Sequence, residues 1–379
     1  MCSDLVSNFD QWREAFIPLA QETLLDSQLT GLLESVRFDD DVWNKANNQP
    51  EGILALEKYF NILVSDQQFS IGAEKLHTEA KAFNTIRNYG LSVDPEVLTA
   101  IWGIETQYGK IRGDHYVLDA LASLASIKNS RQDFFEQNLL SALKIIHSDV
   151  VRPDQFKGSW AGAMGHTQFM PTTYLEFGLD IRNRKKIDIW EDDPLDALAS
   201  TANYLSKHNW KDNVPILSEI LLPEGFDFLR ANSGREETVA FWMSQGIEFV
   251  FEEVSLDLVT KIITPAGKDG PKFALFGNFN TILDYNPSRF YALAVGHLTN
   301  LLSGRRKLVS GWPFIDDYLN HSELKMVQER MVRKGYDTGG IDGLIGPKTI
   351  QSIQHYQKSR GLIPDGFPDR ELFDAVISG

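Results

Sequence analysis

Residues 94–109 read DPEVLTAIWGIETQYG, and this segment predicts a helix with one acidic side chain on its apolar face. Asp94 suits the N-cap position, and Pro95 suits the first helical position because proline lacks the N–H that a helix start leaves unbonded. Gly109 is typical of a helix stop. At about 100° per residue, Glu105 falls on the arc of the apolar side chains. That arc comprises Val97, Leu98, Ile101, Ile104 and Tyr108.

Two interpretations of Glu105 follow from this position. Removal from bulk water disfavours the charged carboxylate, so its pKa should rise and the side chain could act as a general acid. Alternatively, the carboxylate ends a buried face and forms an ion pair with a Lys or Arg from elsewhere in the chain. The segment alone favours the ion pair, because a single acidic residue on an apolar arc is more often structural than catalytic.

The composition limits the classes of protein that the chain can belong to. Its 379 residues suffice for two or three domains, and a hydrophobic fraction of 42% supports a buried core. The formal net charge of −15 argues against a nucleic-acid partner and against an anionic lipid surface. No apolar run is long enough to span a bilayer, and no phosphate-binding loop, dinucleotide fingerprint or paired-histidine zinc motif is present. We therefore expect no cofactor.

Cys2 is the one cysteine in the chain, which excludes a disulfide within it. The first residues carry neither the basic nor the apolar region of a signal peptide, so none is visible. A cysteine directly after Met1 also fits the start of a mature lipoprotein, with chance placement as the alternative. A lipid anchor at Cys2 is a hypothesis on this basis.

A second informative segment, residues 158–174, reads GSWAGAMGHTQFMPTTY. Its small residues allow the backbone to approach either another helix or a ligand closely. A purely structural loop rarely combines so many glycines with Ser, Gln, Met and aromatic residues. The mixture suits a sugar, whose hydroxyls need hydrogen-bond partners and whose C–H faces pack on apolar groups.

The rest of the chain reads as helices around a short β-rich region. Helical spacing dominates residues 7–90 and 116–150, and short β-rich pieces separated by turns follow between residues 213 and 276. A linker rich in Gly, Ser and Pro precedes a separate module near the C-terminus. The sequence therefore predicts a mainly α protein with a small sheet inserted into, or packed on, a helical domain.

Taken together, these motifs resemble lytic murein transglycosylases of the membrane-bound B type, which form glycoside hydrolase family 103. The signature pieces occur in the family's order over about residues 5–303 and comprise Gln49-Pro50-Glu51, Ile101–Thr106 with Tyr108-Gly109, Ala161–Gly165 with Gln168–Pro171, Tyr285-Asn286 and Tyr291–Val295. Residues 322–377 resemble a short helical peptidoglycan-binding domain, with Gln328, Asp342-Gly343, Gln357 and Asp365-Gly366 among its marks.

The resemblance implies a lysozyme-like helical catalytic domain over residues 5–303, with a β-containing insertion at about 211–278. A linker at 304–321 and a peptidoglycan-binding domain at 322–379 complete the expected organisation. The implied activity is cleavage of the MurNAc–GlcNAc β-1,4 bond with formation of 1,6-anhydro-MurNAc ends. Glu105 matches the family's single acid/base, whereas ordinary glycosidases use two carboxylates.

The resemblance also implies residues that bind the glycan. Ser159 and Gln168 match positions that contact the reacting sugar or orient the acid, and Asn286 matches a residue that hydrogen-bonds the N-acetyl group. Further cleft positions offering charge or stacking are Arg131, Tyr204, Tyr285 and Tyr291. From the residues alone, Arg131 reads rather as a solvated charge at a helix start, and Tyr204 is equally well a core residue.

Three departures from the family pattern stand out. Ser130 stands where many members carry a second arginine, and His166 replaces a commoner aromatic residue in the glycine-rich loop. The third is residues 180–188, DIRNRKKID, where some members have a calcium-type loop. Because Arg and Lys occupy the places of the oxygen ligands that calcium requires, we expect no metal.

The expected partner is the glycan strand of peptidoglycan, and the expected location is the periplasm of a Gram-negative bacterium, where the protein would act as a monomer. Two other functions stay open. One is a hydrolytic muramidase that uses the same acid with water, and the other is an inactive peptidoglycan-binding scaffold. Retention of the acid together with its expected sugar contacts argues against the scaffold.

Overall fold

The computed structural model describes residues 2–24, 27–47, 56–250, 254–314 and 317–378. The Gln49-Pro50-Glu51 motif lies outside these described residues. The chain divides into two compact units. The first unit comprises Met1–Pro50 and Ser70–His208, and the second comprises Glu51–Phe69 and Asn209–Gly379.

Helices dominate the described residues, and short strands lie between them. The helices are α1 (Cys2–Leu24), α2 (Ser27–Ser35), α3 (Asp40–Asn47), α4 (Leu56–Leu63), α5 (Asp66–Thr78), α6 (Ala80–Asn88), α7 (Pro95–Thr106), α8 (Val117–Ala125), α9 (Gln132–His147), α10 (Pro171–Phe177), α11 (Leu195–Lys207), α12 (Val239–Ser244), α13 (Gly277–Tyr285), α14 (Arg289–Leu302), α15 (His321–Arg333), α16 (Pro347–Ser359) and α17 (Arg370–Ser378). The strands are β1 (His115–Tyr116), β2 (Lys157–Gly158), β3 (Leu217–Leu221), β4 (Glu237–Thr238), β5 (Glu248–Phe249), β6 (Val259–Ile263) and β7 (Lys272–Leu275).

Helix α7 starts as the sequence predicts, with Pro95 in the first turn after the extended Asp94, but it is buried on nearly all sides. All seven residues from Val97 to Gly103 are buried, whereas the apolar spacing predicts one buried face. Thr99 and Ala100, outside the predicted face, are buried as well, and α11 is among the helices that contact α7. A helix covered all round belongs to the interior of its unit, so its end is held firmly in place.

The predicted stop of α7 at Gly109 is wrong, because the helix ends three residues earlier, at Thr106. Gln107 and Tyr108 adopt left-handed backbone conformations, with φ of 50° and 60°. The Gln107 N–H donates to the Gly103 carbonyl and the Tyr108 N–H to the Trp102 carbonyl. The bond from the left-handed Gln107 to the carbonyl four residues back is the αL cap, which glycine usually supplies. A glutamine in that place gives no sequence signal.

A five-stranded antiparallel sheet forms the β-containing part of the second unit, with strand order β4-β6-β7-β3-β5. Strands β3 and β7, both expected from their β-rich sequence, pair with Ser218 opposite Ala274. Trp242 and Phe276 belong to the buried cluster under the sheet. The sheet thus has an apolar core of its own.

The C-terminal module, helices α15 to α17, contains two turns that are pinned in the same way. Gln328 accepts a hydrogen bond from the Gly343 N–H at 2.7 Å and donates to the Asp342 carboxylate at 3.1 Å. Gln357 does the same for the second Asp-Gly pair, accepting from the Gly366 N–H at 2.9 Å and donating to Asp365 at 2.8 Å. Each Asp-Gly turn is therefore locked by a buried glutamine.

Asp365 also joins the module to the five-stranded sheet within the second unit. Its other carboxylate oxygen accepts from the Lys268 N–H at 2.8 Å, and its carbonyl accepts from the Thr264 hydroxyl at 3.1 Å. Residues of the expected linker are fastened too, because the buried Glu219 of β3 accepts from the Val309 and Ser310 N–H groups. Among the described residues, no helix is long and apolar enough to cross a membrane.

His297 gives the second unit a testable pH dependence. It lies buried in α14, and its ring stacks on Phe60 of α4 with centroids 5.6 Å apart. Burial lowers the pKa of His297 from about 6.5 to about 4. Since the unfolded chain takes up this proton first, the stabilisation is fully present above pH 6.5 and is lost as the pH falls towards 4. The loss amounts to about 3 kcal/mol.

We expect the His297→Leu variant to lose less stability than the wild type when the pH is lowered from neutral to 4.5, as measured by thermal unfolding. His355→Leu is the matched control, because His355 is exposed on α16 of the same unit. Parallel losses in the wild type and the His297→Leu variant would contradict the assignment.

Candidate active site

Glu105 lies in the last turn of α7 and is half-buried. The residues on its C-terminal side turn back sharply, and the ring of Tyr108 packs over the helix. A Cβ atom on Gly103 would lie 2.5 Å from Cζ of Tyr108, so only glycine permits this packing. The Tyr108 ring meets Trp102 edge-on at 5.7 Å, and burial raises the pKa of the Tyr108 hydroxyl. The acid is thus presented at the end of a rigid, buried helix.

Hydrogen bonds join the end of α7 to the glycine-rich loop. The indole N–H of Trp102 donates to Nδ1 of His166 at 3.0 Å. The Thr106 hydroxyl donates to the His166 carbonyl at 2.6 Å and accepts from the Gly109 N–H at 2.9 Å. Thr106 directly follows Glu105. The backbone next to the acid is therefore tied to a loop that lies 60 residues further along the chain.

The loop itself carries Ser159 and Gln168 in fixed orientations. The Ser159 hydroxyl oxygen accepts from the Ala163 N–H at 3.1 Å. Gln168 has a left-handed backbone, with φ of 56°, and its amide donates to the Gly165 carbonyl at 2.9 Å and the Arg112 carbonyl at 3.3 Å. Both side chains thus form hydrogen bonds with the backbone of their own loop, and both are candidates for contact with a substrate.

Two glycines of this loop are required by packing inside the protein. A Cβ atom on Gly162 would lie 2.4 Å from the Leu121 side chain, and one on Gly165 would lie 2.5 Å from the Ile189 carbonyl. Both residues have positive φ angles. Of the two readings of the small residues, close approach to the protein's own elements accounts for these two positions.

Arg112 is a site residue that the sequence analysis missed. Its guanidinium donates to the carbonyls of Trp190 and Glu191, at 2.5 and 3.2 Å, and pairs with Asp192. Its own carbonyl accepts from Gln168. No local pattern marks Arg112, because these partners lie 56 to 80 residues away in the sequence.

Arg131 and Tyr204 have different surroundings within the first unit. Arg131 is exposed just before α9, and its guanidinium lies over the rings of Phe134 and Phe135 at 5.4 and 5.0 Å. Tyr204 is buried, and its ring stacks on His208 with centroids 3.9 Å apart. An exposed arginine remains accessible to a charged ligand, whereas Tyr204 has the surroundings of a core residue.

The three remaining sequence candidates belong to the second unit. Tyr285 ends α13, and Asn286 follows it with its side-chain oxygen accepting from the Ser288 N–H at 3.0 Å. The Ser288 hydroxyl in turn caps α14 by accepting from the Tyr291 N–H. Tyr285 and Asn286 are half-buried, and Tyr291 is buried. The turn between α13 and α14 thus brings Tyr285, Asn286 and Tyr291 together.

Comparison with known proteins identifies the family. The family model described as the transglycosylase SLT domain matches residues 8–300, which include α7 and the glycine-rich loop. The chain belongs to this family of transglycosylases. A second model, described as a peptidoglycan binding domain, matches residues 320–376. The recognition made from the motifs is confirmed.

Solved members of the transglycosylase family share the fold. SltB3 from Pseudomonas aeruginosa, solved with NAG-anhNAM-pentapeptide, has a TM-score of 0.91 at 35% identity over 97% of this chain and 99% of its own. Escherichia coli Slt35, solved with calcium, has a TM-score of 0.65 at 26% identity over 77% of this chain and 92% of its own. The predicted fold class is therefore confirmed.

A curated relative agrees over a shorter stretch. Membrane-bound lytic murein transglycosylase B of Escherichia coli strain K12 is 33% identical over 211 residues. The match covers 54% of this chain and 56% of the relative, so it spans about half the length of that protein.

The residues that follow α10 do not fit a calcium ion. Arg184 donates to the Asp196 carboxylate at 2.9 Å and to Glu191 at 2.7 Å, and Arg182 pairs with Glu191 and with Asp193. Asp196 is fully buried, and burial raises the pKa of its carboxyl. Guanidinium groups therefore engage Glu191, Asp193 and Oδ2 of Asp196, and Nε of Arg182 lies 3.7 Å from the other Asp196 oxygen. A cation would be repelled by these two fixed positive charges.

We expect the Arg184→Ala variant to be destabilised by about 2 kcal/mol, because Asp196 would lose a partner in a buried place; partial exposure of Arg184 reduces the cost. Chemical unfolding measures the difference. Arg152→Ala is the matched control, since Arg152 pairs with Asp154 in solvent, with both side chains largely exposed, and such pairs contribute little. Millimolar calcium should leave the melting temperature of the wild type unchanged, and a rise would contradict the assignment.

Proposed function

We propose that the chain is a lytic transglycosylase that cleaves the MurNAc–GlcNAc β-1,4 bond of peptidoglycan and leaves 1,6-anhydro-MurNAc ends. The observation that carries this proposal is the joining of the Glu105 helix end to the Ser159–Gln168 loop through Thr106 and His166. Such a junction holds a carboxyl and sugar-binding groups in one fixed arrangement. The anhydro sugar in the SltB3 structure, a neighbour over 97% of the chain, supports the product type.

In the proposed reaction Glu105 acts first as an acid and then as a base. Its carboxyl proton passes to the glycosidic oxygen while the C1–O bond of the muramyl residue breaks. The muramyl C6 hydroxyl then attacks C1, and the Glu105 carboxylate takes the proton of that hydroxyl. The carboxyl group is regenerated, and neither water nor a second carboxylate takes part.

The surroundings of the three aspartates that could serve as a second carboxylate support a single-carboxylate mechanism. Asp119 accepts from the Arg37 N–H at 2.9 Å, and its carboxylate thus joins α8 to the segment before α3. Asp114 and Asp133 are exposed, in a loop and in the first turn of α9. None of the three belongs to the hydrogen-bonded junction around Glu105 that the described residues form.

Ser159 and Gln168 are the proposed contacts to the reacting sugar. The Ser159 oxygen accepts from the backbone, so its hydroxyl proton can be donated to a sugar oxygen. The Gln168 amide nitrogen is held by two carbonyls, which orients Oε1 as an acceptor for a sugar hydroxyl. We further propose that Asn286 binds the N-acetyl group and that the remaining cleft positions contact the glycan or its peptide. These are Arg131, Tyr285 and Tyr291. For Tyr204 the buried ring stacked on His208 supports the core interpretation, the other alternative that the sequence left open.

We expect the Glu105→Gln variant to lose peptidoglycan cleavage by about 10²- to 10⁴-fold, because the amide can neither give nor take the proton. Release of muropeptides from purified peptidoglycan, followed by mass analysis, measures this. Glu96→Gln is the matched control in the first turn of the same helix and should cleave like the wild type. Wild-type activity in the Glu105→Gln variant would require another acid.

Product analysis separates the proposed activity from the two alternatives. Anhydromuramyl ends indicate the transglycosylase, whereas reducing ends indicate a hydrolytic muramidase with the same acid. Binding without any product indicates a peptidoglycan-binding scaffold. The SltB3 neighbour favours the first outcome, because one of its structures holds the anhydro form, NAG-anhNAM-pentapeptide.

We also propose that the protein acts as a monomer in the periplasm of a Gram-negative bacterium, with a lipid on Cys2 and the C-terminal module bound to the wall. Two family matches in one chain, a transglycosylase and a peptidoglycan-binding domain, support an envelope location. Mass spectrometry of protein purified from the membrane fraction of its host should find a lipid-modified N-terminal cysteine. An unmodified cysteine in that protein would overturn the anchor.

A further inference from the structure

His166 is buried, and the partners of its ring fix one protonation state. The Trp102 indole can only donate, so the Nδ1 atom that it reaches at 3.0 Å carries no proton. The neutral ring then carries its proton on Nε2, which donates to the Glu191 carbonyl at 2.7 Å. Arg112, also a donor, lies further from Nε2 at 3.2 Å and gains no hydrogen bond from this tautomer. The ring is therefore a neutral Nε2–H imidazole that both accepts and donates.

The backbone of His166 connects the two halves of the proposed active site. Its carbonyl accepts from Thr106, the residue after Glu105, and its N–H donates to the Ile189 carbonyl. Gln168 follows two residues later and is held by the Gly165 carbonyl on the other side of His166. A movement of His166 would therefore displace the sugar-binding loop relative to the acid.

We infer that His166 is a positioning residue for the reaction proposed above: its neutral imidazole keeps the Gln168 loop in register with Glu105, and a second proton on the ring releases the loop. The inference rests on the proposed function. A phenylalanine ring in this place would fill the space without making either hydrogen bond.

A second proton would place an N–H group on Nδ1 against the indole N–H, so this hydrogen bond would become a clash of two donors. The charged groups nearby are Arg112, 3.2 Å from Nε2, Asp192, which pairs with Arg112, and Lys75, over the Trp102 ring at 5.3 Å. Burial, assisted by Arg112 and Lys75, lowers the pKa of His166 against the opposing effects of the Glu191 carbonyl and Asp192. The neutral ring with its hydrogen bonds to Trp102 and Glu191 is therefore the state at neutral pH. Its protonation requires a lower pH than that of an ordinary histidine.

Two variants separate positioning from packing. His166→Gln offers a carbonyl oxygen to Trp102 and an amide proton to Glu191 without titrating, whereas His166→Phe fills the space without either bond. We expect kcat on peptidoglycan to fall by about 10- to 100-fold in the Phe variant, the scale expected of misplaced catalytic groups, with a smaller change in KM. The Gln variant should recover most of that loss. The fall in kcat at low pH that protonation of His166 causes in the wild type should be absent from the pH profile of the Gln variant.

The Trp102 indole signal in a ¹H–¹⁵N spectrum reports directly on the hydrogen bond between Trp102 and His166. In the wild type it should shift with the same midpoint as the acid limb of kcat, while in the Gln variant it should stay constant with pH. His147→Gln, an exposed histidine at the end of α9, is the control and should titrate like the wild type. Hydrogen exchange of the 158–169 segment should be faster in the Phe variant than in the Gln variant.

Three results would overturn the inference: wild-type kcat and pH profile in the Phe variant, an acid limb in the Gln variant that matches the wild type, or an indole signal that does not titrate. If the Phe variant does not fold, the Gln variant and the wild-type titration still decide. A wild type that releases no product would overturn the proposed function instead, and the indole and hydrogen-exchange measurements would continue to test whether His166 holds the loop.

Discussion

The hydrogen bond from the Thr106 hydroxyl to the His166 carbonyl is the contact on which the organisation of the first unit depends. It joins the end of a helix buried on nearly all sides to a loop whose backbone contains several left-handed residues. Gly162 and Gly165 adopt such conformations without a steric cost, but Gln168 costs about 1 kcal/mol or more there and persists in it only where the surroundings enforce it. The burial of α7 supplies that enforcement, because it fixes the position of Thr106 before any ligand binds.

Charge in the first unit is handled by pairing within the chain. Asp196 is buried beneath Arg184 and Arg182, and the N–H of Asp188 also donates to its carboxylate. In Slt35 a related fold was solved with calcium. Here the guanidinium groups of Arg182 and Arg184 pair with the carboxylates of the segment, and we expect its order not to depend on the concentration of a free ion.

Three features could be predicted from the sequence: where α7 starts, that it bears an acidic side chain near its end, and that residues 182–186 are cationic. Each of these is a local property. The residue at which α7 ends could not be predicted, because Gln107 and Tyr108 adopt left-handed conformations that their side chains do not favour. The contact of Trp102 with His166 spans 64 residues, and no periodicity encodes such a distance. The same holds for Arg112, whose partners are mostly backbone carbonyls of distant residues.

The turn at Asp365 attaches the C-terminal module to the sheet, although a linker between them suggests a freely moving domain. The Asp365 carboxylate accepts hydrogen bonds both from Gln357, which closes the module's own turn, and from the Lys268 N–H beside the sheet. Glu219 of the sheet accepts from the Val309 and Ser310 N–H groups of the connecting segment. A domain on a loose tether would search a large volume and gain avidity from its reach. The hydrogen bonds of Asp365 and Glu219 instead hold this module next to the sheet, so the distance between a ligand on the module and the sheet is set by the fold rather than by the length of a linker.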